Sequence, residues 1–395
     1  MRDRRHHLSI LFVLTAVLIF TLGAGASVVS ACGSKPWRIV NSPDASSTST
    51  NSLLAVTAIS ANNVWAVGYP TEHGVLIEHW NGSTWSILPG PPHGTTSDTL
   101  RGIAAVSAGD IWAVGDRYNP GKGVYQTLIE HWNGWVWSIV ASPNVGPNSN
   151  TLRGVTVVSK NNIWAVGSSY DNVKTSASQT LIEDWNGCKW VVVPSPNASA
   201  GKDRSSLSSV VAISANDIWA VGNYFNSASN TALTLIEHWN GKQWAISSSP
   251  NPPAPSDSSL NSVAAGSSRD VWAVGTWIDL PHNSYQTLTL HWDGLRWKIV
   301  PSPNSTPPYS FLNGVTVLSA RDAWAVGISG EVRTDTALTL IEHWDGLGWK
   351  IVNSPNVGMG NDLLWAVARV PGTHNAWAVG SHSGPTYQTL TEYNG

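Results

Sequence analysis

The residues with the most evident catalytic potential in this sequence are Glu-His dipeptides inside a repeated IEHW motif. A carboxylate beside an imidazole can support general acid-base chemistry. Four copies carry the pair, namely Glu78 and His79, Glu130 and His131, Glu237 and His238, and Glu342 and His343. Because adjacent residues of a strand point to opposite faces, the two side chains of one pair cannot act together. The repetition instead predicts hydrogen bonds between structural repeats.

A second set of chemically capable side chains occupies the long segments that follow the repeated tetrapeptide WAVG. It mixes aromatic, acidic and basic residues, which suits a carbohydrate or protein ligand. The predicted ligand-binding residues are Tyr118, Tyr170, Asp171, Tyr224, Trp277, Asp279, Arg333 and Asp335. Neighbouring candidates are Tyr69, Arg117, Phe225 and His282. An aromatic residue recurs two or three positions after a repeated glycine in several copies, so covering a sheet edge is the alternative interpretation.

Enzymatic functions require a constellation that breaks the repeat. The sequence has no clustered Cys and His for a metal, no nucleophile motif and no phosphate-binding loop, so we expect no metal and no cofactor. Arginines that could form a sialidase-like cluster fall at repeat positions, such as Arg101 and Arg153, or Arg269 and Arg321. A glycosidase or polysaccharide lyase that uses the loop carboxylates remains the enzymatic alternative.

The element that must position these residues is a repeat marked by the tetrapeptide WAVG. Its Trp stands at positions 65, 112, 164, 219, 272, 324 and 377. Each copy lies between an LxxVxxxS segment and a TLIEHWNG-like segment, and a WxIV segment follows the Asn-Gly or Asp-Gly turn, which is a strong hairpin signal. The repeat therefore predicts four antiparallel strands, and seven repeats predict an all-β, seven-bladed propeller.

The two ends of the chain complete one another. The seventh hairpin turn, Asn394 and Gly395, ends the sequence before a fourth strand, while Trp37 to Val40 read WRIV near the other end. We predict that this N-terminal strand completes the last blade and closes the ring, within a single domain over residues 32–395. The repeat assigns 20 of the 23 Trp residues to strand positions and leaves out Trp135, Trp277 and Trp365. Because one Trp buries about 150–250 Å², we expect the repeated Trp residues to pack between blades.

The repeat resembles the broad group of kelch-like, Asp-box-like and tectonin-type propeller repeats. The tectonin likeness is carried by IWAVG, where that group has VWGVN, and by the Trp that opens the last strand. The Gly pair of kelch repeats and the GH and WD signatures of WD repeats are absent from this sequence. The resemblance implies the propeller fold and assigns no ligand residues.

Strand alternation divides the connections between two faces of the ring. The first-to-second and third-to-fourth connections are tight, whereas the second-to-third and fourth-to-first connections run to about ten residues and differ between blades. Binding residues are usually carried on variable loops. We therefore predict a non-catalytic binding module whose long-loop face takes a glycan or protein ligand, with an envelope scaffold protein as a further alternative.

The net charge and the N-terminal segment limit where the protein can act and what it can bind. The formal net charge is −3 with no basic run beyond Arg2, Arg4 and Arg5, so we expect no nucleic-acid partner. We also expect a monomer. These arginines precede an uncharged, largely apolar run from Leu8 to about Val29, which predicts an export signal over residues 1–31. The protein is then extracellular.

The segment from Val29 to Cys32 resembles the lipobox of bacterial lipoproteins. The resemblance implies a lipid anchor on Cys32 that holds the protein to the outer side of the membrane. Conventional cleavage, which would give a secreted protein, and an uncleaved anchor are the alternatives. A Cys32–Cys188 disulfide is disfavoured, because the two residues fall on nearly opposite blades, well beyond the reach of about 7 Å between Cα atoms.

Lipidation can be tested by metabolic labelling with a palmitate analogue. We expect the wild-type chain to be labelled and Cys32→Ala to be unlabelled, with Cys188→Ala as the matched control that keeps the label. An unlabelled wild type would contradict the lipid anchor and favour a secreted protein.

Overall fold

The computed structural model describes residues 35–46, 48–71, 74–93, 97–172, 177–198, 204–305, 309–331, 336–358, 360–384 and 386–395. These ranges contain 28 strands, arranged as seven sheets of four antiparallel strands each. Within the same ranges, no helix is long and apolar enough to cross a bilayer. The predicted seven-bladed propeller is confirmed. The export signal and Cys32 lie outside the described residues.

The strands follow the four repeat segments in order. Blade one comprises β2 (Leu53–Ser60), β3 (Asn63–Thr71), β4 (Gly74–Trp80) and β5 (Trp85–Ile87). Blade two comprises β6 (Thr99–Ser107), β7 (Asp110–Asn119), β8 (Val124–Trp132) and β9 (Trp137–Ile139). Blade three comprises β10 (Asn150–Ser159), β11 (Asn162–Asn172), β12 (Ala177–Trp185) and β13 (Trp190–Val192). Blade four comprises β14 (Ser205–Ser214), β15 (Asp217–Asn226), β16 (Thr231–Trp239) and β17 (Trp244–Ile246).

The remaining blades have the same organisation. Blade five comprises β18 (Ser256–Ser267), β19 (Asp270–Asp279), β20 (Ser284–Trp292) and β21 (Trp297–Ile299). Blade six comprises β22 (Ser310–Ser319), β23 (Asp322–Glu331), β24 (Thr336–Trp344) and β25 (Trp349–Val352). Blade seven comprises β26 (Asp362–Arg369), β27 (Ala376–Ser383), β28 (Tyr387–Asn394) and β1 (Trp37–Ile39). The first strands of neighbouring blades contact one another, so they line the central channel.

The apolar core is divided among the interfaces between blades. Each cluster joins two blades, as where Trp65 of blade one packs with Leu128 and Trp137 of blade two. The ring centroids of Trp65 and Trp137 lie 5.7 Å apart in an edge-to-face arrangement, and those of Trp65 and Trp132 lie 5.2 Å apart. Such aromatic pairs add stabilisation beyond the buried area. The predicted packing of repeated Trp residues between blades is confirmed.

Closure of the ring joins the two ends of the described chain. Strand β1 pairs with β28, with Trp37 opposite Asn394 and Arg38 opposite Tyr393. Beyond the strand, the Asp44 carboxylate accepts a hydrogen bond of 2.8 Å from the Thr389 amide. The indole of Trp37 also packs edge-on against Trp324 of blade six, at 5.3 Å. The predicted completion of the last blade by the N-terminal strand is confirmed.

The Glu and His of each IEHW motif lie on opposite faces of their strand. His131 stacks on Trp112 at 4.2 Å and its Nε2 lies 2.8 Å from Asp110 Oδ1 at the tight turn. The glutamate faces the neighbouring blade and is fully buried, at 0% exposure for Glu130 and Glu237, as is Glu183 of the related IEDW copy. Ser142, from the segment after blade two, donates a 2.8 Å hydrogen bond to Glu183 of blade three. The pairs are thus part of the framework, but their histidines bond within one blade and not between repeats as predicted.

Burial has a marked effect on the acid-base behaviour of this glutamate ring. Loss of hydration raises the pKa of Glu183, Glu237, Glu342 and Glu392 to about 8. Burial disfavours the charged form, and no described cation contacts these four. Leu290 occupies the same position in blade five. The position therefore accepts a neutral side chain.

The raised pKa values predict that the propeller is more stable in mild acid. Between the ordinary glutamate pKa of 4.5 and the folded value of about 8, the folded state binds more protons than the unfolded state, so stability falls as pH rises. We expect Glu237→Gln to equal the wild type near pH 5 and to exceed its free energy of unfolding by about 1 kcal/mol or more near pH 8.5.

Urea unfolding at the two pH values measures this difference. Lys160→Gln, which removes an exposed charge, is the control and should keep the wild-type pH profile. Equal stabilities of Glu237→Gln and the wild type at both pH values would contradict the raised pKa.

Candidate functional site

A β-bulge recurs near the start of the first strand in every blade. The pairing of the first strand with the second skips one residue directly after the repeated Leu, as between Leu260 and Ser262. The skipped residues are Leu54, Arg101, Arg153, Ser208, Asn261, Asn313 and Trp365. A bulge re-aims the side chain of its extra residue. Each blade therefore presents one such side chain at the same level of the ring.

The glycine of WAVG is required by this bulge. Gly275 pairs with Leu260, and a Cβ added to Gly275 would lie 1.9 Å from the carbonyl oxygen of Ser259. The same clash, at 1.8 or 1.9 Å, occurs at Gly68, Gly115, Gly167, Gly222, Gly327 and Gly380. Only glycine allows the two backbones to approach this closely. The glycine of WAVG, which is the same in every repeat, thus positions the bulge residue, which varies between repeats.

The seven bulge residues converge on one cavity at the mouth of the central channel. Together with Tyr69 they line a volume of about 290 Å³. The bulges lie at the start of the first strands, where the fourth-to-first connections arrive, so the mouth opens on the long-loop face. The first strands are closely packed here, since a Cβ on Gly102 would lie 3.2 Å from Gly154 Cα of the next blade.

Two adjacent arginines form one wall of this cavity. Arg101 Nε donates a 2.5 Å hydrogen bond to the buried carboxylate of Asp116. Burial lowers the pKa of Arg101, but the bond to Asp116, its charge and Tyr69 outweigh burial and raise it. For Arg153, burial and the charge of Arg101 lower the pKa. Within the described ranges Arg153 has no ion pair with a carboxylate.

Amides and an indole form the remaining walls. Asn261 Nδ2 donates a 2.9 Å hydrogen bond to the Leu312 carbonyl, and Asn313 Nδ2 donates an equal one to the Leu364 carbonyl. These bonds fix each amide against the next blade. The Trp365 Nε1 has no hydrogen-bond partner among the described residues. The cavity therefore combines two cations, two oriented amides and the aromatic rings of Tyr69 and Trp365.

Of the ligand-binding residues predicted from sequence, those whose side chains the structure describes lie outside this cavity, whereas the neighbouring candidate Tyr69 lines it. Tyr118 packs on Tyr125 at 5.3 Å, and Tyr224 and Trp277 pack half-buried against the cores between blades. Asp279 pairs with His282 at 2.7 Å. The structure thus favours a packing role for Tyr224 and Trp277. Tyr170 is exposed and lies near Arg153. The side chains of Asp171, Arg333 and Asp335 lie outside the described residues.

Sequence reasoning treated Arg101 and Arg153 as repeat positions, although their position is where the repeat diverges. The position directly after the repeated Leu holds Leu, Arg, Arg, Ser, Asn, Asn and Trp in successive blades. Trp365, left outside the Trp pattern, belongs to the same set. Comparing the repeats position by position would have identified the ring as variable. The convergence itself needed the structure.

A second departure from the repeat is a buried cluster between blades one and two. His93 Nδ1 lies 3.0 Å from Asp98, and its Nε2 lies 3.0 Å from Glu130, with all three side chains buried. Burial lowers the pKa of His93, but hydrogen bonds and charges from both carboxylates outweigh burial and raise it to about 9. Gly90 follows the last strand of blade one at the position that Ser142 occupies after the last strand of blade two. The imidazolium replaces that hydroxyl in contacting the buried glutamate and has no access to a substrate.

Comparison with known proteins identifies the architecture. No protein-family model matches the chain, and no curated protein matches it. YCF48 bound to D1 peptide matches 91% of this chain and 95% of its own, with TM-score 0.53 and 12% identity. An ulvan lyase of family PL25, bound to -[GlcA(1-4)Rha3S]-, matches 90% and 95%, with TM-score 0.56 and 11% identity.

A GH74 xyloglucanase from Xanthomonas campestris matches 90% of this chain, with TM-score 0.54 and 15% identity. The match covers 53% of the xyloglucanase chain. At these identities the likeness shows a shared fold. This one architecture accommodates peptide-bound and sugar-bound proteins as well as enzymes.

The close approach at the bulge predicts a sharp contrast between two glycines. Gly275→Ala should lower the free energy of unfolding by about 3 kcal/mol, because its Cβ would displace the bulged backbone. Gly348→Ala, where an added Cβ meets nothing within 4 Å, should change stability by less than about 0.5 kcal/mol. Urea unfolding measures both, and equal stabilities would contradict the coupling between glycine and bulge.

Proposed function

We propose that this chain is an exported, non-catalytic binding module that takes a glycan or protein ligand at the channel mouth of its long-loop face. The observation that carries the proposal is the ring of bulge residues. A regular repeat aims seven side chains of five residue types, from Leu54 to Trp365, into one cavity. Packing requirements shared by all blades do not explain side chains that differ from blade to blade.

The acidic side chains near the mouth support binding over hydrolysis. None of the described residues lining the cavity is Asp or Glu. Asp116 is bonded to Arg101, Asp98 to His93, and Asp279 to His282. Most glycosidases need two carboxylates flanking the scissile bond. The enzymatic alternative, a glycosidase or a polysaccharide lyase, keeps its support from the two enzymes of the same fold.

The chemical range of the ligand has support from the same comparisons. YCF48 was determined with a peptide and the ulvan lyase with an acidic sugar. The fold therefore suits either class, and the mouth of this chain offers polar and aromatic groups for both. An envelope scaffold is the third alternative, which predicts no small ligand.

The opposite face has features that suit a membrane surface. Strand β1 begins at this short-loop face, where Trp37 pairs with Asn394 beside the third-to-fourth turn. At equivalent hairpin tips, Trp135, Leu295 and Leu347 are 89%, 86% and 92% exposed. Exposed Trp and Leu favour the interface of a bilayer. A lipid on Cys32 would hold this face against the membrane and direct the mouth outward.

Obstruction of the mouth tests the proposed function. We expect the chain from residue 32 to retain ligands on glycan or peptide arrays, and Ser208→Tyr to abolish that retention by filling the cavity. Ser86→Tyr, at an exposed position of the outer strand β5, is the matched control and should bind as the wild type does.

Three results would contradict the proposal. Binding that survives Ser208→Tyr would place the ligand elsewhere, and release of reducing ends from a polysaccharide would show an enzyme. A wild type that retains no glycan or peptide would favour the scaffold.

A further inference from the structure

The channel mouth carries an unbalanced positive charge. The charge of Arg101 disfavours that of Arg153 and the more distant Asp116 offsets this in part, while the direct ion pair with Asp116 is made by Arg101. None of the described residues that line the cavity supplies another carboxylate. Like charges held together in a confined site are unfavourable unless an anion joins them. An anionic group of a ligand at this point would offset both charges.

The geometry of the two side chains favours a carboxylate. A guanidinium presents its N–H groups in a planar fork that matches the two oxygens of a carboxylate. Arg101 is oriented by its Nε bond to Asp116, which leaves its Nη groups for a ligand. Arg153 is exposed and forms no ion pair with a described carboxylate, so its guanidinium can meet a ligand. One carboxylate between them would be held from two sides.

The other walls of the mouth suit a sugar ring. Around the ring of blades, the arginines stand on blades two and three, whereas Asn261 and Asn313 stand across the axis on blades five and six. Their Nδ2 groups are used between blades, so each Oδ1 can accept a hydroxyl hydrogen bond. Trp365, on blade seven, lines the same cavity and offers an apolar ring face for the C–H side of a pyranose.

A second cavity shows where a longer ligand would continue. It has a volume of about 400 Å³ and shares Asn261 with the mouth. Ile278 and Phe311 contribute apolar surface, while Ser258 and Thr276 contribute hydroxyl groups. Asp257 also lines it, and its carboxylate disfavours a second anionic unit there. A neutral sugar therefore fits this second position.

We infer that the channel mouth binds the terminal uronic acid of an acidic glycan, with its carboxylate between Arg101 and Arg153 and a neutral sugar in the adjoining cavity. The inference rests on the proposed function and specifies its ligand. A mouth of about 290 Å³ at the end of a channel admits one sugar end-on, unlike an open groove along a chain. A peptide is the competing ligand class, and the experiment below distinguishes the two.

The test compares a glucuronic-acid-terminated disaccharide with its glucose-terminated counterpart, which differs only by the carboxylate. We expect calorimetry to show binding of the acidic disaccharide by the wild type. Arg153→Gln should weaken this binding about ten-fold or more, because it removes a charged hydrogen-bond partner. The binding should also weaken as salt is added. Arg321→Gln, an exposed arginine on the short-loop face, is the matched control and should bind normally.

The unfolding temperature separates binding from structure. Because Arg153 is repelled by Arg101 and lacks a described carboxylate partner, Arg153→Gln should unfold at the wild-type temperature or above it. A lowered unfolding temperature would assign Arg153 a structural role and overturn the inference.

The remaining outcomes distinguish the inference from the proposed function. If the glucose-terminated disaccharide binds equally well, or if Arg153→Gln leaves acidic binding unchanged, the uronate site is wrong although a binding module remains. If neither disaccharide binds but an acidic peptide binds and depends on Arg153, the ligand class is a protein and the inference fails. If the wild type binds no glycan or peptide at all, the proposed function itself fails.

Discussion

Packing of tryptophan between neighbouring sheets is the interaction on which the whole ring depends. No blade has a core of its own, because the second-strand Trp of one blade inserts between the third- and fourth-strand Trp residues of the next. A sheet in such an array is stable only when both neighbours are present. This explains why the last interface, where Trp377 packs on Trp80 and Trp85, must also form. Pairing of β1 with β28 secures it by tying the two ends together.

The same repeat separates structure from recognition. Positions that face a neighbouring blade, such as the second-strand Trp and the buried glutamate, nearly always keep one residue type, because the ring presents each of them with nearly the same surroundings. The bulge residue faces the axis, where seven side chains share a space that no neighbouring sheet fills. It is therefore free to differ between blades. Glycine at the end of WAVG makes this freedom possible by allowing the first strand to bulge.

The buried glutamates add a constraint of a different kind. A carboxyl group between two sheets is neutral at mild acid pH and unfavourable when charged, so each blade interface has a built-in sensitivity to alkali. Serine or histidine from the preceding segment partly relieves this at some interfaces, as Ser142 does for Glu183 and His93 for Glu130. Leu290 removes the sensitivity from blade five. The interfaces are thus alike in shape and unequal in electrostatics.

The sequence by itself determined the number of blades, the four strands of each, the closure by Trp37 and the structural role of the IEHW pairs. These features follow from short-range signals, which are alternating strands, Asn-Gly turns and a fixed order of motifs, repeated seven times. The candidate site did not follow from them. Arg101, Arg153 and Trp365 are separated by tens to hundreds of residues and come together only because the ring closes. The bulge also turns each of them out of the regular alternation, so local periodicity did not indicate their convergence, and only the tertiary structure decided which side chains share the channel mouth.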